Sequence, residues 1–283
     1  MSTVIAALRS AFTYVVIALY VAVAGTIGLA IALPLKLKGV LYELGHYGIA
    51  LALGLSGIRY RVSGRQNVPS GTAVVYCSNH QSNVDPPVLY RALDRRLHIL
   101  FKAELRKVPI LGIVMETGGF IPVTRGKRDE AVGAIDLAAA SIRSGNSFLI
   151  FPEGTRSRNE ELLPFKKGGF IMAIKAQAPI VPVAVSGGRD AMRKGSAIIR
   201  PVMVDVKIGE PVLTAGYTLD DRDLLIASVR PSVARTSMVF GSSDGASPRS
   251  VPARSRSAGR DRRACNRPSA PVRQSSRPPS PAG

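Results

Sequence analysis

Residues 12–33 read FTYVVIALYVAVAGTIGLAIAL, a run without a single charged side chain. As a helix rising about 1.5 Å per residue, such a run reaches roughly 30 Å, the thickness of the hydrocarbon core of a bilayer. Arg9 precedes it, Lys36 and Lys38 follow, and Pro34 supplies a stop. The run is long for the apolar region of a cleaved signal peptide, and only Arg9 supplies a charge ahead of it. The expectation is an uncleaved transmembrane helix over about residues 12–34. Residues 40–58 form a second apolar stretch, interrupted by Glu43, His46 and several glycines. That pattern fits an interfacial helix, a re-entrant second leg or a piece of the soluble fold. Residues 1–58 together read as a membrane anchor. Basic residues on both flanks leave its orientation unset.

From Arg59 onward, short β-rich runs alternate with helical spacing. Residues 72–78 (TAVVYCS), 97–101 (LHILF), 119–123 (GFIPV), 147–151 (SFLIF), 180–185 (IVPVAV) and 202–208 (VMVDVKI) read as strands. Residues 88–96, 129–143 and 168–177 read as helices, and Gly145 stands where a helix C-terminal glycine is expected. A last helix over 218–230 would be capped by Thr218 with Asp221 three residues on. Alternation of this kind predicts an α/β domain over residues 59–230, a mixed central sheet flanked by helices, with its site on loops at strand ends. Beyond Arg230 the composition turns to Ser, Pro, Arg, Gly and Ala, and residues 231–283 are expected to be a disordered tail.

The formal net charge is +19, and the tail holds ten Arg against two Asp. Such a surplus calls for an anionic partner. The tail has no aromatic interleaving for base stacking, and no nucleic-acid recognition motif is visible, so no nucleic-acid partner is expected. An electrostatic arm on anionic lipid and an extension without function remain as readings of the tail. Cys77 and Cys265 lie in unlike surroundings and argue against a disulfide framework, and without a Cys/His cluster no metal is expected. Oligomeric state leaves no mark in the sequence.

Four segments carry chemistry. In Asn79-His80-Gln81-Ser82-Asn83-Val84-Asp85, His80 falls on the turn between a strand and a helix. An imidazole there can accept a hydroxyl proton, and Asp85, five residues on, can fold back to orient the ring. Asp85 also suits a helix N-cap followed by Pro86, so the pair alone decides little. His46 and His98 sit in apolar surroundings unlike those of a base. Phe151-Pro152-Glu153-Gly154-Thr155-Arg156 likewise ends a strand. There Gly154 permits close backbone approach, and Thr155 and Arg156 suit phosphate oxygens. Glu153 reads as a structural acceptor for an Arg or for backbone amides. Residues 119–125 end in Arg125, which with Arg156 makes a two-sided phosphate clamp, and Lys102, Lys166 and Lys167 could enlarge a basic cleft. The strand around Pro182 is expected to be an edge strand, or Pro182 to mark the end of one, because proline lacks the ladder donor.

In this order, over about residues 60–215, the four segments resemble the glycerolipid acyltransferase family, in particular its bacterial 1-acylglycerol-3-phosphate acyltransferases. The N-H-x-S-x-x-D block matches at Asn79, His80, Ser82 and Asp85, and the F-P-E-G-T-R block matches at Phe151 through Arg156. Gly119 and Arg125 match the third block, although Pro122 stands where an aromatic is usual, and Pro182 matches the fourth. The resemblance implies that His80 deprotonates a lysolipid hydroxyl, that Asp85 orients His80, and that Arg125, Gly154 and Arg156 hold the acceptor phosphate, with Glu153 and Thr155 in the same loop. Asn79, Ser82, Lys102, Lys166 and Pro182 would be accessory. It further implies a lysophospholipid acceptor, an acyl-CoA or acyl-carrier-protein donor, no cofactor, and a bacterial inner membrane with the site on the cytoplasmic side. The absence of a G-x-S-x-G elbow agrees with direct transfer. Another lysolipid acceptor such as a lyso-ornithine lipid, a hydrolase, and a membrane-anchored basic binding protein are the competing readings.

Overall fold

Strands that are apolar on both faces force helices onto both sides of a sheet. β2 (Val75–Ser78) and β5 (Ser147–Ile150) are buried at every position, and β6 (Ile180–Ser186) at all but its last. The computed structural model describes residues 3–93, 97–124, 128–159 and 161–238. Among them seven strands form one sheet in the order β1-β7-β6-β2-β5-β3-β4, with β3 at Leu97–Lys102 and β4 at Ile121–Val123. β6, β2, β5, β3 and β4 run parallel. β7 (Met203–Ile208) is antiparallel to β6 and parallel to β1 (Arg59–Ser63), so the sheet is mixed.

Alternate strand residues feed two cores. Tyr76, Leu149, Val181 and Val183 pack with α3 (Asp85–Ala92) and with Leu53 of α2 (Lys38–Ser56). Val75, Cys77, Phe148 and Ile150 face the other way, toward α5 (Arg128–Arg143), α6 (Gly168–Ala176) and α8 (Arg222–Met238). Gly145 takes φ +93° after α5, as expected for a residue closing a helix in the left-handed region.

β1 and α4 (Leu111–Thr117) were not anticipated. β1 alternates exposed and half-buried residues at the sheet edge and is tied to β7 by Arg61, whose Nε and Nη2 donate to Asp205 at 2.6 and 3.0 Å.

Three expectations need correction. Pro182, expected in an edge strand or at the end of one, is the third residue of an interior strand, between β2 and β7. Its carbonyl accepts the Gly209 N–H at 2.8 Å, so its missing donor points to the same side, one residue past the end of β7. The absent hydrogen bond thus falls where the antiparallel ladder stops. α8 also continues past Arg230, through Pro231, to Met238. Leu225, Val229 and Val233 recur at fourfold spacing and are fully buried, and that stripe carries the helix across the proline. Residues 239–283 of the expected tail lie outside the described residues. At its other end α8 starts at Arg222 instead of Thr218, so Thr218 does not cap it; the Thr218 N–H donates to Asp221 Oδ2 at 2.9 Å in the turn ahead of the helix.

The expected anchor is a helical hairpin. α1 (Thr3–Leu35) begins well before residue 12, and α2 packs back along it. α1 alone among the described helices is long and apolar enough to cross a membrane. Its inner face uses Ala6, Ser10, Thr13, Gly25, Gly28 and Ala32, all buried. Ser10 Oγ accepts the Ile199 N–H at 2.8 Å, Tyr14 Oη donates to the Ala197 carbonyl at 2.8 Å, and Gly25 packs against Ile110 and Val114 beside α4. The outer face is a continuous apolar stripe of Val4, Leu8, Phe12, Val15, Leu19, Val23 and Ile27, all exposed.

Candidate active site

Parallel pairing puts the carboxyl ends of β6, β2, β5, β3 and β4 on one edge, where open α/β sheets bind ligands. Two segments there are built into each other. β2 delivers Asn79 and His80, and β5 delivers residues 151–156.

His80 Nδ1 lies 3.0 Å from Asp85 Oδ2. The same oxygen accepts the backbone N–H groups of Gln81 and Ser82, each at 2.7 Å, and Asp85 is fully buried. Asp85 is the first residue of α3, ahead of Pro86 and Pro87; Val84 takes the N-cap position without a side-chain capping bond, and the Asp85 carboxylate serves the histidine and its turn. A carboxylate at Nδ1 fixes the tautomer in which Nδ1 carries the proton and Nε2 keeps its lone pair. The ring stacks on Phe151, centroids 4.1 Å apart, and its side chain is 15% exposed.

Asn79 and Ser82 tie this turn to the β6 end. The Asn79 side-chain amide donates to the Val185 carbonyl at 2.9 Å and accepts the Val185 N–H at 2.8 Å, replacing a missing ladder partner. Ser82 Oγ donates to the Met192 carbonyl at 2.8 Å, just past the short helix α7 (Gly188–Ala191).

Glu153 joins the two loops. Its Oε1 accepts the His80 N–H at 2.8 Å and its Oε2 accepts the Leu163 N–H at 3.0 Å. It is 3% exposed, and burial pushes its carboxyl above the ordinary range, opposed by those two amides and by His80. Of its two expected partners, backbone amides are the ones present; holding them, a buried carboxylate is no ligand for a phosphate. The Ser157 N–H adds a bond to the His80 carbonyl at 2.8 Å.

Gly154 turns at φ +67°, with Lys166 folded so closely over it that an added Cβ would stand 2.8 Å from Nζ. Arg156 Nη1 is buried without a hydrogen-bond partner among the described residues, an orphaned donor in a loop of cations. Lys194, which the sequence reading passed over, donates from Nζ to the Arg156 carbonyl at 2.8 Å and to Thr155 Oγ1 at 3.3 Å. It follows α7 in Arg193-Lys194-Gly195, where only a basic dipeptide before glycine marks it.

Two further expected cations, Lys102 and Lys167, have partners of their own. Lys102 ends β3 on the site edge, but its Nζ lies 3.2 Å from Glu104 Oε1. Lys167 turns to Asp223 of α8 at 3.2 Å. Arg125 lies outside the described residues, two positions past β4. His98 and His46 are buried among aromatic rings, as their apolar surroundings suggested. No group of three or more His, Cys, Asp or Glu able to hold a metal occurs among the described residues.

An imidazole oriented by a carboxylate, beside a basic loop at the open edge of an α/β sheet, suits transfer to a hydroxyl of an anionic molecule. Residues 59–186 match the family model described as Acyltransferase. More particularly, the chain is 34% identical over 181 residues to 1-acyl-sn-glycerol-3-phosphate acyltransferase alpha of Mus musculus, across 63% of this chain and 64% of that protein. It is 33% identical over 180 residues to the 1-acyl-sn-glycerol-3-phosphate acyltransferase of Limnanthes douglasii, across 63% of each. It thus spans less than two thirds of the length of these relatives. Among solved structures, the 1-acyl-sn-glycerophosphate (LPA) acyltransferase PlsC of Thermotoga maritima is similar with a TM-score of 0.72 and 25% identity, over 86% of this chain and 100% of that one.

Proposed function

We propose that this protein transfers a fatty acyl group from an acyl thioester to the sn-2 hydroxyl of 1-acyl-glycerol-3-phosphate, yielding phosphatidic acid for phospholipid synthesis. The observation that carries the reading is the His80–Asp85 pair, whose Nδ1 bond leaves the Nε2 lone pair unused on a partly exposed side chain. Nε2 takes the hydroxyl proton as that oxygen attacks the thioester carbonyl. The tetrahedral intermediate collapses, the C–S bond breaks, and the departing thiolate takes the proton back from the imidazolium. No acyl-enzyme forms. Asp85 holds the ring and balances the transient imidazolium charge. Arg156, Gly154 and Thr155, with Lys166, hold the acceptor phosphate, and Arg125 is proposed as a further ligand for it. Asn79, Ser82 and Glu153 fix the loops.

The outer stripe of α1 gives this reading its lipid. An exposed apolar face along the whole helix, backed by a small-residue face against the domain, suits burial in a bilayer. The protein is therefore a membrane protein. Either donor, acyl-CoA or acyl-carrier protein, is a soluble carrier, and a donor made in the cytoplasm puts the site on the cytoplasmic side of a bacterial inner membrane.

The test is thiol release by the purified chain in lipid, offered lysophosphatidate, a lyso-ornithine lipid or no acceptor. Release that needs lysophosphatidate and falls by about 10²–10⁴ in His80→Ala is expected. Release with lyso-ornithine lipid alone moves the acceptor to another lysolipid. Release without acceptor makes the protein a thioesterase. Turnover of His80→Ala within tenfold of wild type removes the general base.

A further inference from the structure

Asp85 uses one carboxylate oxygen for three donors, while the other, Oδ1, is buried with no hydrogen-bond partner among the described residues. What lies against Oδ1 is Gly188, the first residue of α7. A Cβ on Gly188 would stand 2.1 Å from Asp85 Oδ1, 3.3 Å from its Cγ and 3.3 Å from Ser82 Cβ. Carbon and oxygen approach without strain to about 3.3 Å, so the overlap exceeds about 1 Å.

Neither side can retreat cheaply. The Asp85 carboxylate is fixed by the His80 ring and two backbone amides. The β6–α7 corner is fixed by the paired amide of Asn79 on Val185 and by Ser82 on Met192. Gly188 is itself fully enclosed in this corner. Backbone strain is not what excludes a side chain here. Gly187 takes φ +87°, whereas the φ of Gly188 lies outside the left-handed region. A methyl group at 188 meets a carboxylate, not a forbidden backbone angle.

We infer that Gly188 is a positioning residue for the His80–Asp85 pair. Its missing side chain is the space that Oδ1 occupies, and that seat sets the rotation of the carboxylate about Cβ–Cγ, so that Oδ2 faces His80 Nδ1. The catalytic half of this inference rests on His80 as the base. The steric half stands without it, because it concerns only what Gly188 and Asp85 leave each other.

The test is a double-mutant cycle on the full chain in lipid, reading thermal unfolding and acyl-transfer kinetics for wild type, Gly188→Ala, Asp85→Ala and the double variant. Gly188→Ala is expected to lower Tm by several degrees and kcat at least tenfold, with KM for lysophosphatidate within twofold. In the Asp85→Ala background, where the carboxylate is gone, the same substitution should change neither Tm nor residual kcat. Asp85→Asn keeps the bulk, so in that background the Tm loss should persist. Equal Tm losses in the wild-type and Asp85→Ala backgrounds would overturn the seat, and a change in kcat of Gly188→Ala below twofold would overturn its positioning role in catalysis. If Gly188→Ala fails to fold, a double variant that folds supports the seat and one that does not overturns it. Loss of the general base would show separately, as His80→Ala retaining turnover while the Tm coupling stays readable.

Discussion

Replacing Glu153 with glutamine changes one atom and leaves the volume of the side chain, yet it should weaken both the fold and the site. The two carboxylate oxygens each accept one amide, from His80 at 2.8 Å and from Leu163 at 3.0 Å. Glutamine has a single acceptor oxygen and an NH₂ group, so one buried N–H must face another donor. An unsatisfied buried amide costs about 1–3 kcal/mol, and turning the other bond from charge-assisted to neutral costs about 1 kcal/mol more. Relief of a desolvated charge offsets part of this, leaving a net loss of about 2 kcal/mol, or roughly 4–8 °C in Tm for a chain of this size. The sign with pH follows from burial, which is the largest influence on this carboxyl and raises it above its ordinary 4.5. A folded-state value above the unfolded one means that the folded protein binds the proton more tightly. Wild type therefore gains stability over Glu153→Gln as pH falls from neutrality through the raised value, and the gain is complete below the ordinary one. Scanning fluorimetry of both proteins between pH 7.5 and 4 reads this directly. Equal melting temperatures at neutral pH, or a gap that closes on acidification, would refute the bridging role.

The other predictions concern the basic loop and the end of α8. Arg156→Ala should raise KM for lysophosphatidate tenfold or more while sparing kcat, because its buried Nη1 awaits an anion; an unchanged KM in a lysolipid titration removes the clamp. Lys194→Met should act the same way more weakly, since that ammonium already holds the Arg156 carbonyl, and Lys194→Arg should restore most of the loss in the same titration. A chain ending at Met238 should keep full turnover, whereas one ending at Arg230 loses the buried Val233 and with it about 1.5–3 kcal/mol, seen as a lower Tm.

The parts that sequence reasoning found were those with a local cause. β2, β5 and β6 announce themselves as short apolar runs bounded by polar residues, and Gly145 by its place after a helical period. His80 and Asp85 were readable because their separation is short enough for the turn to close on itself. The parts it missed depend on partners far along the chain. Pro182 sits inside the sheet because β7 ends opposite it, which no feature of residues 180–185 reveals. Pro231 and the change of composition pointed to a helix end, while the 225, 229, 233 spacing that overrides them gains its weight only from the core it meets. β1 was missed because an edge strand with Arg at alternate positions looks like a loop until Asp205 is brought to it. Asn79 matched a motif without its reason being visible, and that reason is the backbone of Val185, 106 residues away.

The faces of α1 are distinguished by volume. Apart from Arg9, which donates to the Ser56 carbonyl, both are uncharged, but one carries alanine, serine, threonine and glycine where the other carries valine, leucine and phenylalanine. Measures of polarity are nearly blind to such a helix, and so is any average of hydrophobicity along it. Tolerance to substitution is not. At positions such as Gly25 and Gly28, an added carbon would stand 2.7 and 2.6 Å from a side-chain methyl of Ile110 or Leu44, so a larger residue there requires a neighbour to shift. Positions such as Leu8 and Leu19 should exchange freely among bulky apolar residues. Aligned relatives of this chain would then display a helical rhythm of side-chain size within a segment whose apolar character never varies, and that rhythm would locate the domain beneath the helix without any structure.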